Sequence, residues 1–469
     1  MKEHLEKFFE DLRKNCPRTD ILRDAEDRLA YSRGCYPREY KWMLKGEYPY
    51  MTGGVLLPGD ADDVSRIMRL ARKHGVGVIP YGGGSGIVGG TIPYNGEVVA
   101  DTGRLNDFSL NAVNMRARGG AGLSGAEFEN MLNARGFSSG HYPQSFQSAS
   151  LGGMVSTRAV GTFSTKYGKM DDMVTALDVV LPDGELLRTH GAPKRSSGPE
   201  LMQLFLGGEG VYGIVTSVEM KIYPIPEKRI FCAYTFPSTE DGLSALRAIV
   251  HRGIRPAVVR LYDEAEAEHK IALYCFEKGH ALLVLIFEGY EDTTELEAKA
   301  ADAICEAHLG RGKGGRAAEE WHATRFSTKK MLDYDATRGG TADAIEVAAT
   351  WDRITDLWKG MRDALLPLCE SVDCHFSHIY HSGASVYVIF HARTGGDDSD
   401  GEARYLECLR VACETSVKYG GNVSHHHGIG TAKGAFLRLE HGDSGVSVIK
   451  RIKDALDPDG ILNRGVLGL

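Results

Sequence analysis

The run Gly82-Gly83-Gly84-Ser85-Gly86-Ile87-Val88-Gly89-Gly90 constrains this chain more than any other stretch. Val76–Pro80 before it reads as a short apolar strand, and Glu97–Asp101 after it as another. A dinucleotide-binding fingerprint needs its glycines between a strand and a helix, so that the helix N-terminus meets the pyrophosphate. Here Thr91-Ile92-Pro93 leads back to a strand, which excludes that arrangement. No Gly-Lys-Ser/Thr closes the run, which excludes a P-loop. Successive backbone N–H groups without side chains still make a nest for anions. Upstream, Val55-Leu56-Leu57-Pro58 reads as a strand. Asp62 then caps a helix with Val64, Ile67, Met68 and Ala71 at helical spacing, and Gly75 ends it.

Two further clusters repeat the theme. Gln144, Ser145, Ser148, Ala149, Ser150, Gly153, Ser156, Thr157, Arg158 and Ala159 combine hydroxyls with small side chains. Glu209, Gly210, Gly213, Ile214 and Val215 close a third cluster before a strand at Ser217–Tyr223. Glycine makes up 57 of 469 residues without any collagen period, so many positions need positive φ or a close ligand. Strands separate the three clusters, as expected for one extended ligand lying across a mixed α+β domain. After Ile225-Pro226 the composition changes. Strands at Arg229–Phe236, Ala281–Glu288 and Ser385–His391 alternate with helical stretches, which predicts a second α+β domain with an antiparallel sheet.

Charge and hydropathy exclude other classes. The net charge of −8 argues against a nucleic-acid partner. The longest clean apolar run, Ala281–Phe287, is far short of the ~20 residues that span a bilayer. No signal peptide, peroxisomal tripeptide or CxxC pair is visible, so a cytoplasmic protein with reduced thiols is expected. Expected partners are a small-molecule or lipid substrate, peripheral contact with a membrane and a second copy in a homodimer.

The clusters, in this order, resemble the flavin-binding domain of the vanillyl-alcohol-oxidase (PCMH) type, and within it the alkylglycerone-phosphate synthases. Pro80, Tyr81, Gly82, Gly83, Gly84, Ser85 and Gly86, with Gln144–Ser150, Ser156–Ala159 and Glu209–Val215, sit where that family contacts FAD. Pro193–Pro199, Trp351-Asp352-Arg353 and Asp457–Arg464 are similar too. The family's active-site arginine falls on Arg260 and its catalytic tyrosine on Tyr387. Its triple histidine falls on His425, His426 and His427. The resemblance implies an N-terminal helical segment over 1–47, a PCMH-type FAD-binding domain over 48–226 and a substrate or cap domain over 227–420. A C-terminal segment, 421–469, carries the histidines and packs back on the FAD domain.

The chemistry implied is an exchange of the acyl chain of acyl-dihydroxyacetone phosphate for a fatty alcohol, through an adduct at flavin N5. Tyr387 takes a proton from the substrate carbon. A phenol needs a lowered pKa to act as a base, which Arg260 or a protonated histidine could supply. Arg260 also stabilises negative charge on the flavin, unless it pairs with Asp263. On a strand, His425 and His427 would share one face and His426 the other. The family's phosphate-binding arginine has no clear counterpart; a gapless count gives Leu332 and a short insertion gives Lys329, which is taken as the substrate-binding residue. Neither glycine loop carries His or Cys at a linking position, His141 being the nearest exception, so FAD is expected to be non-covalent.

The rival is an FAD-linked D-2-hydroxyacid dehydrogenase, with His427-Gly428 as its catalytic pair. Its metal-holding carboxylate is replaced by His426, although His375, His378 and His381 could rebuild a metal site. No metal is expected for the synthase. A module that merely stores a flavin is the third class, and it gives Arg260, Tyr387 and the histidines no reason to converge.

Overall fold

The computed structural model describes residues 2–274, 276–327, 340–393 and 398–469. Short Val- and Ile-rich runs build the first sheet: β1 (Asp20–Leu22), β2 (Gly54–Leu57), β3 (Val78–Tyr81) and β4 (Val98–Asp101), in the order β1-β2-β4-β3. β4 runs parallel to both β2 and β3, so β2 and β3 are joined by a crossover helix, Ala61–His74. That helix is capped by Asp60 rather than Asp62: the Asp60 carboxylate accepts the Asp63 N–H at 2.8 Å. Asp60 wins because its backbone is extended, as a cap requires, whereas Asp62 already lies in the first turn. Gly75 ends the helix with φ +66°. The glycine run follows β3, at the carboxyl end of the parallel strands, where open α/β sheets bind ligands.

The second sheet is antiparallel, ordered β5-β6-β10-β8-β9. Its strands are β5 (Phe108–Asn111), β6 (Arg116–Gly120), β8 (Val174–Val180), β9 (Leu186–Arg188) and β10 (Ile214–Lys221). β7 (Phe137–Ser138) and β11 (Tyr223–Pro224) form a small ribbon beside it. β10 begins at Ile214, so Ile214 and Val215 are buried sheet residues.

The third sheet has seven strands: β12 (Lys228–Phe236), β13 (Val258–Tyr262), β14 (Ala281–Gly289), β15 (Arg311–Gly312), β16 (Gly340–Thr350), β17 (Ser371–Ile379) and β18 (Gly383–Arg393). Their order is β15-β12-β14-β13-β17-β18-β16, all antiparallel. Alternation sorts its side chains. Leu261, Phe376, Val386 and Val347 join a core with the helices Thr239–His251 and Ile354–Leu365. Val258, Tyr262, Leu282 and Val284 join the core of the region that carries the glycine-rich clusters, with Phe163, Tyr167 and Met170. Strand β14 is apolar without alternation because both of its faces are covered. Among the described residues no helix is long and apolar enough to cross a membrane.

Candidate active site

The three glycine clusters converge. A Cβ on Gly83 would lie 1.7 Å from the Ser148 carbonyl oxygen, and one on Gly82 would lie 2.0 Å from Ser150 Oγ. Only glycine lets the first loop lie on the second. Backbone bonds from Glu209 N to Ser156 O (2.9 Å) and Gly207 N to Val155 O (3.1 Å) stitch the second cluster to the third. Gly210 closes the ring against Pro80, where a Cβ would meet Cγ at 2.9 Å. The Arg158 guanidinium is engaged by the third cluster, its Nε donating to Leu206 O at 2.9 Å. Gly83, Gly86, Gln144, Ser148 and Gly153 remain exposed along the joined loops. His141 is buried, with neither ring nitrogen hydrogen-bonded; burial lowers its pKa to about 4. This cradle of closely apposed small residues, which a Cβ at Gly82 or Gly83 would fill and which stays open at Gly83, Gly86 and Gly153, fits FAD.

The third sheet supplies a polar face opposite. In register across four strands stand Tyr262, His375, Tyr387 and Glu346. One pleat along, Arg260, Ser377 and Ser385 form a second row. Arg260 Nη2 lies 2.8 Å from His375 Nε2, and His375 Nδ1 lies 2.7 Å from Glu266 Oε2. Arginine only donates, so Nε2 is the acceptor and Nδ1 carries the proton toward Glu266. Burial, with Arg260 beside it, lowers the His375 pKa to about 4 and keeps that tautomer neutral. Asp263 is not the partner of Arg260; it accepts Trp358 Nε1 at 3.2 Å. Arg260 Nε, Ser377 Oγ and Ser385 Oγ are buried without hydrogen-bond partners, polar atoms that a bound ligand would satisfy.

The triple histidine is a loop, not a strand, and all three rings gather at the site: centroids of His425 and His426 are 5.0 Å apart, those of His426 and His427 4.5 Å. Glu346 shapes that loop. Its Oε1 accepts Ser424 Oγ (2.5 Å), His426 N (3.1 Å) and His427 N (2.8 Å). Its Oε2 faces His427 Nδ1 (2.9 Å) and Lys433 Nζ (3.3 Å). Burial opposes ionisation, but His427 and Lys433 hold the carboxyl well below its ordinary range. His426 Nε2 lies 2.5 Å from Tyr387 Oη, and His426 Nδ1 lies 2.9 Å from His425 Nδ1. Burial raises the Tyr387 phenol, Glu346 adds to this, and Arg260 opposes it only in part. The expected lowering by a cation therefore does not occur: burial and the nearby carboxylate outweigh the guanidinium.

His375, His378 and His381 do not assemble. A bulge turns His378 inward, with φ +55° and Nδ1 2.7 Å from Ser164 Oγ. His381 is exposed and its ring lies tilted against His251, with centroids 4.9 Å apart. Among the described residues no three His, Cys, Asp or Glu side chains converge to hold a metal. Lys329 and Leu332 lie outside the described residues. Arg325, which sequence reasoning passed over, offers an alternative cation. Its guanidinium lies 4.4 Å from the Phe326 ring centroid and 5.8 Å from Tyr142 and Phe163, with Nε buried and unpartnered. Glu266, Glu346 and Tyr380 were also missed, because nothing local marks them.

Residues 52–190 match the FAD binding domain family, and residues 225–467, over half of the chain, match the C-terminal domain of FAD linked oxidases. The alkyldihydroxyacetonephosphate synthase of Trypanosoma brucei brucei is 28% identical, covering 98% of this chain and 80% of that protein. The glycolate oxidase subunit GlcD of Bacillus subtilis is 26% identical over 91% of each chain. A solved structure of an alkyldihydroxyacetonephosphate synthase superposes with a TM-score of 0.81 at 24% identity, over 98% of this chain and 84% of that one. The chain thus belongs to the FAD-linked oxidases of the PCMH (vanillyl-alcohol-oxidase) superfamily, and it is an FAD-dependent enzyme.

Proposed function

We propose that this enzyme exchanges the acyl chain of an acyl-dihydroxyacetone phosphate for a fatty alcohol, with FAD bound non-covalently. The supporting observation is the 2.5 Å contact between Tyr387 Oη and His426 Nε2. His426 stands where the dehydrogenase branch would carry a carboxylate for its metal, and here it serves the tyrosine. In this reading residues 48–226 hold the cofactor, 227–420 the substrate, and 421–469 bring the histidine loop back to the cofactor.

When bound, FAD supplies an electron-poor ring that can accept a carbon nucleophile or a hydride. The chain's own residues do the rest. Arg325, in its aromatic box and with Nη1 held by the His322 carbonyl, binds the substrate phosphate through its unpartnered Nε. Tyr387 takes a proton from the substrate carbon as it gives its own to His426. Arg260, fixed by His375 and Glu266, presents a permanent positive charge to the charge that develops. Glu346 holds the histidine backbone so that His426 meets Tyr387. The fatty acid leaves, the alcohol takes its place, and no net oxidation occurs.

A second reading, oxidation of a D-2-hydroxyacid with His427 as base, is favoured by one observation: Arg325 would bind a carboxylate as well as a phosphate. The deciding assay incubates the holoenzyme with palmitoyl-dihydroxyacetone phosphate and isotope-labelled hexadecanol. Labelled ether product with free palmitate supports the transferase. Absence of both, with keto-acid formation from D-lactate or D-glycolate, supports the dehydrogenase.

A further inference from the structure

We propose that Tyr387, His426, His425 and Tyr380 form a proton relay between the reacting centre and the rim of the site, with Tyr380 as its outer positioning member. The proposal takes from the transferase reading only the identity of the carbon that loses the proton.

The contacts are continuous. Tyr387 Oη meets His426 Nε2 at 2.5 Å; His426 Nδ1 meets His425 Nδ1 at 2.9 Å; His425 Nε2 meets Tyr380 Oη at 2.9 Å. Each imidazole uses both nitrogens within the chain. Tyr380 is partly exposed in the turn between β17 and β18, whereas His425 is buried. A phenol that keeps its proton can take another only as the first departs, and the acceptor at hand is His426.

The transfer balances without redox change. Tyr387 Oη gains the substrate proton and gives its own to His426 Nε2. His426 gives its Nδ1 proton to His425 Nδ1, and His425 gives its Nε2 proton to Tyr380. Tyr380 releases its original proton to solvent. Every member ends neutral with its tautomer reversed, and the opposite direction resets the chain. The neutral state suits the surroundings. Burial, then Lys169, lowers the His425 pKa to about 3, with Glu346 opposing and His427 adding. Burial, then His427, holds His426 well below its usual value, with His425 and His378 adding and Glu346 opposing. Burial, with Asp171, Asp172 and Tyr387, keeps Tyr380 protonated. Glu346 and Arg260 are the charges that act on Tyr387. Lys169 Nζ donates to the His425 carbonyl at 2.8 Å and so fixes that backbone outside the relay.

The test compares the wild-type holoenzyme with Tyr380→Phe, using palmitoyl-dihydroxyacetone phosphate with hexadecanol and, separately, D-lactate. Turnover is measured across mixtures of H2O and D2O. The wild type should give a curved dependence on deuterium fraction, the mark of several protons in flight. Tyr380→Phe should retain FAD and its visible spectrum, lose about 10²-fold in turnover, and give a linear dependence. A linear dependence in the wild type overturns the relay, even if the variant fails to fold. So does wild-type turnover in Tyr380→Phe. If neither substrate reacts with the wild type, the functional readings fail, and the relay is judged by NMR of ¹⁵N-histidine-labelled holoenzyme. Tyr380→Phe must then shift the ring signals of both His425 and His426; a shift of His425 alone, or of neither, overturns it.

Discussion

Glu346 stands directly across the sheet from Tyr387, and its carboxylate holds the backbone of the very histidine that Tyr387 touches. One fully buried acid thus sets both the floor of the site and the loop above it. Replacing it with glutamine leaves the buried Lys433 without its counter-charge and turns one of the two accepting oxygens into a donor. Glu346→Gln should destabilise the fold by about 3 kcal/mol, read from the urea midpoint at pH 7. Because the folded-state pKa lies well below the ordinary 4.5, the carboxylate stabilises above that pH, and the benefit is lost as pH falls beneath it. The variant should therefore show a flatter stability profile below pH 4.5.

The buried histidines act in a higher window. His375 and His141 fall to about 4 and His425 to about 3, from an ordinary 6.5. Between these values the unfolded chain binds protons that the folded chain refuses, so stability should decline as pH drops from 6.5 toward 4. Urea titrations at half-unit pH steps check this. His375→Asn should reduce the slope.

Tyr387→Phe removes only a hydroxyl from a half-buried ring. It should bind FAD normally and lose about 10³-fold in turnover. Steady-state rates beside the flavin absorbance of the purified variant separate chemistry from cofactor loss. Normal turnover would remove Tyr387 from the mechanism.

Two glycines in one loop should behave differently. Gly83→Ala drives a Cβ into the Ser148 carbonyl, whereas a Cβ on Gly86 meets nothing within 4 Å. Gly83→Ala should lower the melting temperature of the apoprotein and its FAD content. Gly86→Ala should keep apoprotein stability within about 0.5 kcal/mol.

These glycines were legible because a strand-loop-strand glycine run has few structural uses, and the small residues that meet it recur in two later clusters. Helix Ala61–His74 was legible from its apolar spacing, but three carboxylates crowd its start, and only backbone shape selects Asp60. Glu346 was hidden because Ile345-Glu346-Val347 reads as one polar residue facing outward from a strand. Only the register with β18 reveals that its face is the site. The link from Glu266 to His375 was hidden by the same long range. The gathering of the three histidine rings was hidden because the loop that brings them together is held by Glu346, some eighty residues away.

Arg325 should bind the anionic end of the substrate. Arg325→Ala should raise KM about 30-fold, equivalent to ~2 kcal/mol for a charge-assisted hydrogen bond, with a smaller change in kcat. An unchanged KM would place the substrate anion elsewhere.

The central claim is most directly tested by the anaerobic visible spectrum of the holoenzyme during turnover. Palmitoyl-dihydroxyacetone phosphate should perturb the flavin bands and release palmitate, and hexadecanol should restore the oxidised spectrum with no electron acceptor present. D-lactate and D-glycolate should leave the bands unchanged. Bleaching by a hydroxyacid, with keto acid formed and no response to the acyl phosphate, would contradict the transferase and establish a dehydrogenase.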